Sequence, residues 1–182
     1  MAHIIRAVCF DSGDTLADEA TELGQDVVVF AELIDGAAET VRQVKSLGYP
    51  LALIADGSAA SFSHVLGHYG LFELFDAVAI SETLGVEKPH PEMFQYALRQ
   101  LGVQKDEYKN VLMIGNNLRR DIGGANALGI TSVWPDWSPR RSKVPQSDLE
   151  VPDYVIHKPL ELLEVIAKVE AGTDFYRMST TT

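Results

Sequence analysis

The sequence predicts an α/β fold, a three-layer sandwich in which helices cover both faces of a mostly parallel sheet. Two observations predict it. Short β-rich apolar runs alternate with segments of helical spacing along the chain. Residues able to do chemistry recur just after those runs, where open parallel sheets bind ligands. At 182 residues, 46 % hydrophobic and 23 % charged, the chain has the size and composition of one globular domain.

The elements follow in order. Residues 4–10 form an apolar strand signal that stops at Asp11. Residues 36–47 carry Ala37, Val41 and Val44 at helical spacing, with Gly48 able to cap the end. A short buried strand over 51–55 closes at Asp56-Gly57. Phe62, Val65, Leu66 and Tyr69 then fall on one helix face. A third strand covers 76–80. Pro91 suits the first turn of a helix whose buried stripe is Phe94, Ala97, Leu98 and Leu101. A strand at 111–114 ends at Gly115. Leu118, Ile122 and Ala125 mark the next helix, with Gly129 past its end. Strands at 130–134 and 153–156 and a helix over 159–169 complete the pattern. Two segments, 17–35 and 135–152, read as irregular, and the tail over 171–182 reads as flexible. No internal repeat or inter-domain linker interrupts residues 1–170.

Charge and cysteine content narrow the partners. The formal net charge of -11 repels nucleic-acid phosphates and anionic lipid, so neither nucleic acid nor a membrane is an expected partner. No apolar run approaches the roughly 20 residues of a membrane span. The first ten residues lack the basic start and cleavage site of a signal peptide. The single cysteine, Cys9, lies in an apolar run and reads as a small buried hydrophobe. A cytoplasmic location is the expectation.

Four segments carry the chemistry. After the first strand come Asp11-Ser12-Gly13-Asp14-Thr15-Leu16, and after the second Ala55-Asp56-Gly57-Ser58. Beyond the third come Glu87-Lys88-Pro89, and after the fourth Gly115-Asn116-Asn117 with Asp121. A carboxylate, a lysine and further oxygen donors at one sheet end suit a hard cation beside a phosphate. There is no G-x-G-x-x-G dinucleotide fingerprint and no G-x-x-x-x-G-K-[ST] phosphate loop.

These four segments, with Glu87-Lys88-Pro89-His90-Pro91-Glu92-Met93-Phe94 as the third, resemble in order the four motifs of the haloacid-dehalogenase-like superfamily. The resemblance runs from about residue 4 to 169. It implies a Rossmann-like core and a magnesium-dependent phosphoric monoester hydrolase acting on a small phosphorylated substrate, or on an accessible phosphate of a larger one. Asp11 would attack phosphorus and carry a transient aspartyl-phosphate. Mg²⁺ would be held by Asp11, the Gly13 carbonyl, Asn116 and Asp121. Lys88 would balance the same charges as a mobile point charge, and Ala55, Asp56 and Gly57 would border the phosphate.

Three positions depart from the family pattern. Gly13 stands where a second Asp usually serves as general acid and base, a loss that typically costs about 10²–10⁴ in rate. A related subgroup also has Gly there. Ala55 replaces a hydroxyl residue, and Asn116 replaces a magnesium-binding Asp. Asp14 is adjacent but supplies the missing carboxylate only if the turn re-aims it; otherwise it is a turn or capping residue. The alternative function is therefore a weakened or inactive domain that binds a phosphorylated ligand or partner. Carbon–halogen hydrolysis and a phosphorelay receiver fit less well.

The 17–35 segment is too short for the helical cap of many relatives, so the site is expected to be open, or covered by a loop or a second copy of the chain in a homodimer. Trp134, Trp137, Arg140, Arg141 and Lys143 lie on the later loop. Trp137, Arg140 and Arg141 are candidate contacts to an anionic substrate, against a packed aromatic pair and a solvated basic stretch. His64 and His68, four apart, read as solvent-facing, His90 as a loop or cap residue, and Ser58 as turn chemistry.

Overall fold

The computed structural model describes residues 3–172. Its six-stranded sheet has the order β5-β4-β1-β6-β7-β8 and every pairing is parallel. The strands are β1 (Ala7–Phe10), β4 (Leu51–Ala55), β5 (Ala77–Ile80), β6 (Val111–Ile114), β7 (Thr131–Pro135) and β8 (Tyr154–Ile156). The helices are α1 (Ala37–Ser46), α2 (Ala59–His68), α3 (Ser81–Leu84), α4 (Pro91–Gln100), α5 (Gly123–Ala127) and α6 (Leu162–Glu170). The expected strands and principal helices are all present. Between β1 and α1 the chain forms a hairpin, β2 (Leu23–Gly24) antiparallel to β3 (Val28–Phe30), where an irregular segment was expected. Its alternation is too short to show as a strand pattern. It is held instead by α2, through Ser61 Oγ accepting from Val28 N at 3.0 Å and Phe30 packing edge-on to His68.

The strand pleat sorts the core into two layers. Val8, Phe10, Leu51, Leu53, Leu112 and Ile114 face α1 and α6, meeting Val41, Val44, Val165 and Ile166. Ala7, Cys9, Ala52, Ile54 and Met113 face the other way, against Met93, Phe94, Ala97 and Leu98 of α4. Burial pushes the Cys9 thiol up to about 12, so it is inert, as expected of a small core hydrophobe.

Connectivity places the site. From β1 the chain passes to β4 and β5 on one side, then crosses to β6, β7 and β8 on the other. The order reverses between β1 and β6, so the crevice opens at their carboxyl ends. Asp11 and Asn116 flank it.

The two ends of the described chain are tied together by Glu170. Its carboxylate accepts from Ile4 N at 2.9 Å, Ile5 N at 3.1 Å and Tyr49 Oη at 3.0 Å. Partial burial raises its pKa, but these donors outweigh that and hold it below the usual carboxylate range. A lowered folded pKa stabilises the fold above the unfolded value and is lost as pH falls through the folded one. Glu170→Gln should therefore cost about 1–3 kcal/mol in urea unfolding at pH 7. The gap from the parent should narrow in acid.

Candidate active site

Each strand ending at the crevice delivers one group. β1 ends at Asp11, whose N–H donates to Ile114 O at 2.9 Å, fixing the first residue beyond the strand. Lys88 follows the α3 turn and is 3 % exposed. Its Nζ donates to Asp11 Oδ1 at 2.7 Å, Asp121 Oδ1 at 2.7 Å and Ile54 O at 2.8 Å. All three ammonium protons are thus committed, so Lys88 is pinned and not mobile. Burial lowers its pKa, yet Asp11, Asp121 and Asp56 together drive it well above the ordinary lysine value.

Asp121 sits in a widened π turn at Leu118–Ile122 leading into α5, where a plain helix was expected. It is buried, and its second oxygen accepts from Asn117 N at 2.9 Å. Burial raises its pKa, with Lys88 opposing and Asp11 adding. Gly115 lets this happen: a Cβ there would lie 2.3 Å from Asp121 Cγ. Asp56 braces Lys88 from behind, accepting from its backbone N at 2.9 Å and from Arg120 Nη1 at 3.0 Å.

The Asp11, Gly13, Asn116 and Lys88 positions come together at the crevice. Asn116 Nδ2 donates to the Gly13 carbonyl at 3.0 Å. Thr15 Oγ1 donates to Asp11 Oδ2 at 3.2 Å and accepts from Asn116 N at 3.2 Å, joining β1 to β6. Thr15 lay within a recognised motif, but only its spacing of four from Asp11 hinted at this role. A cleft of about 650 Å³ opens over these groups, lined also by Glu19, Val28, Ser58, Arg119 and Arg141. Asp56 and Gly57 line it too. The Gly57 N–H is already given to Ser81 Oγ at 2.9 Å. Ala55 does not line the cleft: as the last residue of a central strand, it packs into the core.

Asp14 does not replace the missing acid. It stands at φ 51°, 3 % exposed, with its carboxylate turned to the later loop. Ser138 Oγ donates to it at 2.9 Å, and Arg140 clasps both oxygens. Burial raises its pKa, but Arg140, Ser138 and the Glu19 N–H outweigh this and hold it low. Trp137 Nε1 donates to Asp14 O at 2.8 Å. Trp137 and Arg140 therefore brace the turn and lie outside the cleft lining, contrary to their reading as substrate contacts; Arg141 does line it. Trp134 Nε1 donates to Asn116 O at 3.0 Å, and Lys143 pairs with Asp136 at 2.6 Å. His64 and His68 are exposed, and His90 caps α4 by accepting from Glu92 N at 3.2 Å.

Among the described residues no three His, Cys, Asp or Glu side chains gather as a metal cluster. The donors beside Asp11 are nevertheless all oxygen: two carboxylates, an amide and a carbonyl. That chemistry fits a hard cation with few protein ligands, as Mg²⁺ prefers. Nor is any described helix long and apolar enough to cross a membrane.

The family model of haloacid dehalogenase-like hydrolases matches residues 5–129. A glyceraldehyde 3-phosphate phosphatase of Methanopyrus kandleri is 35 % identical over 130 residues, 71 % of this chain and 54 % of that protein. The pyrophosphatase PpaX of Halalkalibacterium halodurans is 30 % identical over 136 residues, 74 % of this chain and 60 % of that protein. The chain thus spans little more than half the length of these curated relatives. In fold it is similar to a HAD phosphatase from Thermococcus onnurineus, with a TM-score of 0.73 at 19 % identity, covering 89 % of this chain and 98 % of the other. With four motifs in order at the carboxyl ends of a parallel sheet and a family match across most of its length, the chain belongs to the haloacid dehalogenase-like hydrolases.

Proposed function

We propose that this protein is a magnesium-dependent phosphatase of small phosphoric monoesters, acting through an aspartyl-phosphate on Asp11. The observation that carries the reading is the buried triad in which Lys88 joins Asp11 to Asp121 at 2.7 Å each, opening on the cleft. The phosphatase relatives support it.

Among the described residues Asp11 Oδ2 meets only the Thr15 hydroxyl, at 3.2 Å, and is the oxygen to attack phosphorus. The Asp11 oxygen–phosphorus bond forms as the ester oxygen–phosphorus bond breaks. Lys88 holds the other carboxylate oxygen, orienting the nucleophile and offsetting negative charge in a site where burial strengthens electrostatics. Asp11, Asn116 and the Gly13 carbonyl would hold Mg²⁺, with Asp121 adding charge behind them. When bound, the ion screens nucleophile from phosphate and stabilises transition-state charge.

Ala55 and Gly13 favour a second reading, a domain that binds a phosphorylated ligand with little turnover. Hydrolysis of p-nitrophenyl phosphate decides between them. The expected result is turnover with Mg²⁺ that falls to the uncatalysed rate with chelator and returns on adding the ion back. A folded protein that binds Mg²⁺ without turnover would transfer the assignment to ligand binding.

A further inference from the structure

Position 13 has no side chain, yet the space beside it is filled. A Cβ built on Gly13 would lie 2.0 Å from Glu19 Oε1, 2.8 Å from its Cδ and 3.1 Å from its Cγ. Gly13 is outside the positive-φ residues, so the backbone itself would accept a side chain. What occupies that space is the Glu19 carboxylate. Both residues line the cleft with Asp11.

The chain places Glu19 there deliberately. A tight turn returns it over the crevice, with Asp14 N donating to Ala17 O at 2.6 Å. Asp18 then caps a short 3₁₀ turn at Glu19–Thr21, accepting from Ala20 N at 2.9 Å. Asp14 Oδ1 accepts from Glu19 N at 3.2 Å, so the buried Asp14 positions the Glu19 backbone. The charged groups around the carboxylate are Asp14, Glu22, Arg140 and Arg141. The arginine contacts, at 3.3 to 3.4 Å, are long for ion pairs and leave the side chain at the cleft.

We propose that Glu19 is a catalytic residue, a carboxylate supplied from the loop that does the proton transfers position 13 cannot. This rests on the phosphatase reading above. In the first step Asp11 oxygen bonds to phosphorus, the ester bond breaks, and the Glu19 carboxyl proton passes to the departing alkoxide. In the second, the Glu19 carboxylate takes a proton from water as that water's oxygen bonds to phosphorus. The bond to Asp11 then breaks, releasing inorganic phosphate and leaving Glu19 protonated for the next cycle.

Rapid-mix kinetics test it with the Mg²⁺-loaded protein, p-nitrophenyl phosphate and glycerol phosphate. Nitrophenolate leaves without a proton; glycerol alkoxide needs one. Glu19→Gln should slow glycerol phosphate about 10²–10⁴-fold. With the aryl ester it should keep the first step, giving a nitrophenolate burst and Asp11-bound phosphate that accumulates. The double variant Gly13→Asp with Glu19→Gly, confirmed folded by its thermal transition, should regain glycerol phosphate turnover. Glu19→Gln at parental rates, equal slowing of the first step with both leaving groups, or a folded double variant no better than Glu19→Gln would each overturn the role of Glu19. A parent with no Asp11-dependent turnover would overturn the phosphatase reading and this role with it.

Discussion

Asp11→Asn is expected to bring phosphate ester hydrolysis down to the uncatalysed rate and to abolish labelling of the protein by phosphate. The amide cannot present the anionic oxygen that attacks phosphorus, and neither Asp14 nor Asp121 can take its place. Asp14 is locked by Arg140 and Ser138, and Asp121 has both oxygens engaged. The fold should survive. Asn keeps the shape, Asp121 still neutralises Lys88, and removing one of two carboxylates eases their mutual repulsion. The thermal midpoint should stay near that of the parent, separating lost chemistry from lost structure. Residual Asp11→Asn turnover at the parental rate would remove Asp11 from the mechanism.

Lys88→Met should damage both activity and stability. Lys88 is 3 % exposed, and its ammonium bridges two carboxylates and the Ile54 carbonyl. Without it Asp11 and Asp121 face one another with no cation between them. Removing one partner of a buried ion pair costs about 3–5 kcal/mol, because the remaining charge stays desolvated. Urea unfolding should show a loss of that size. Turnover should fall by at least about 10²-fold, the scale of one lost electrostatic stabiliser. Lys88→Arg should not restore it, since a planar guanidinium cannot direct three donors to these points. Lys88→Met combined with Asp121→Asn should recover part of the stability and none of the activity. Full stability of Lys88→Met alone would show that the triad contributes nothing to the fold.

The strands and their flanking helices were legible because apolar runs and helical stripes alternate cleanly, and each is decided by contacts close in sequence or by burial of one face. The motif residues were legible for the same reason: Asp11, Asp56 and Asn116 follow closely on a strand and Lys88 follows the short α3 turn beyond one, so their place at the crevice is set once the strands exist. The β2–β3 hairpin was not legible, since two- and three-residue strands carry no periodicity and depend on α2 for support. Trp137 and Arg140, read as substrate contacts, turned out to brace Asp14, because loop charges announce their type but not their partners.

By itself, then, the sequence determined the α/β class, the family and the four segments beyond the strands where Asp11, Asp56, Lys88 and Asn116 emerge. Tertiary structure decided the rest. Lys88 lies 77 residues from Asp11 along the chain and is pinned only when both strand ends meet. Asp14 is turned away by a partner 126 residues on, and Glu19 fills the space that glycine leaves at position 13. Local preference governs which element forms. Which charges neutralise one another, and which carboxylate faces the cleft, is settled by packing between segments that no spacing in the sequence brings together.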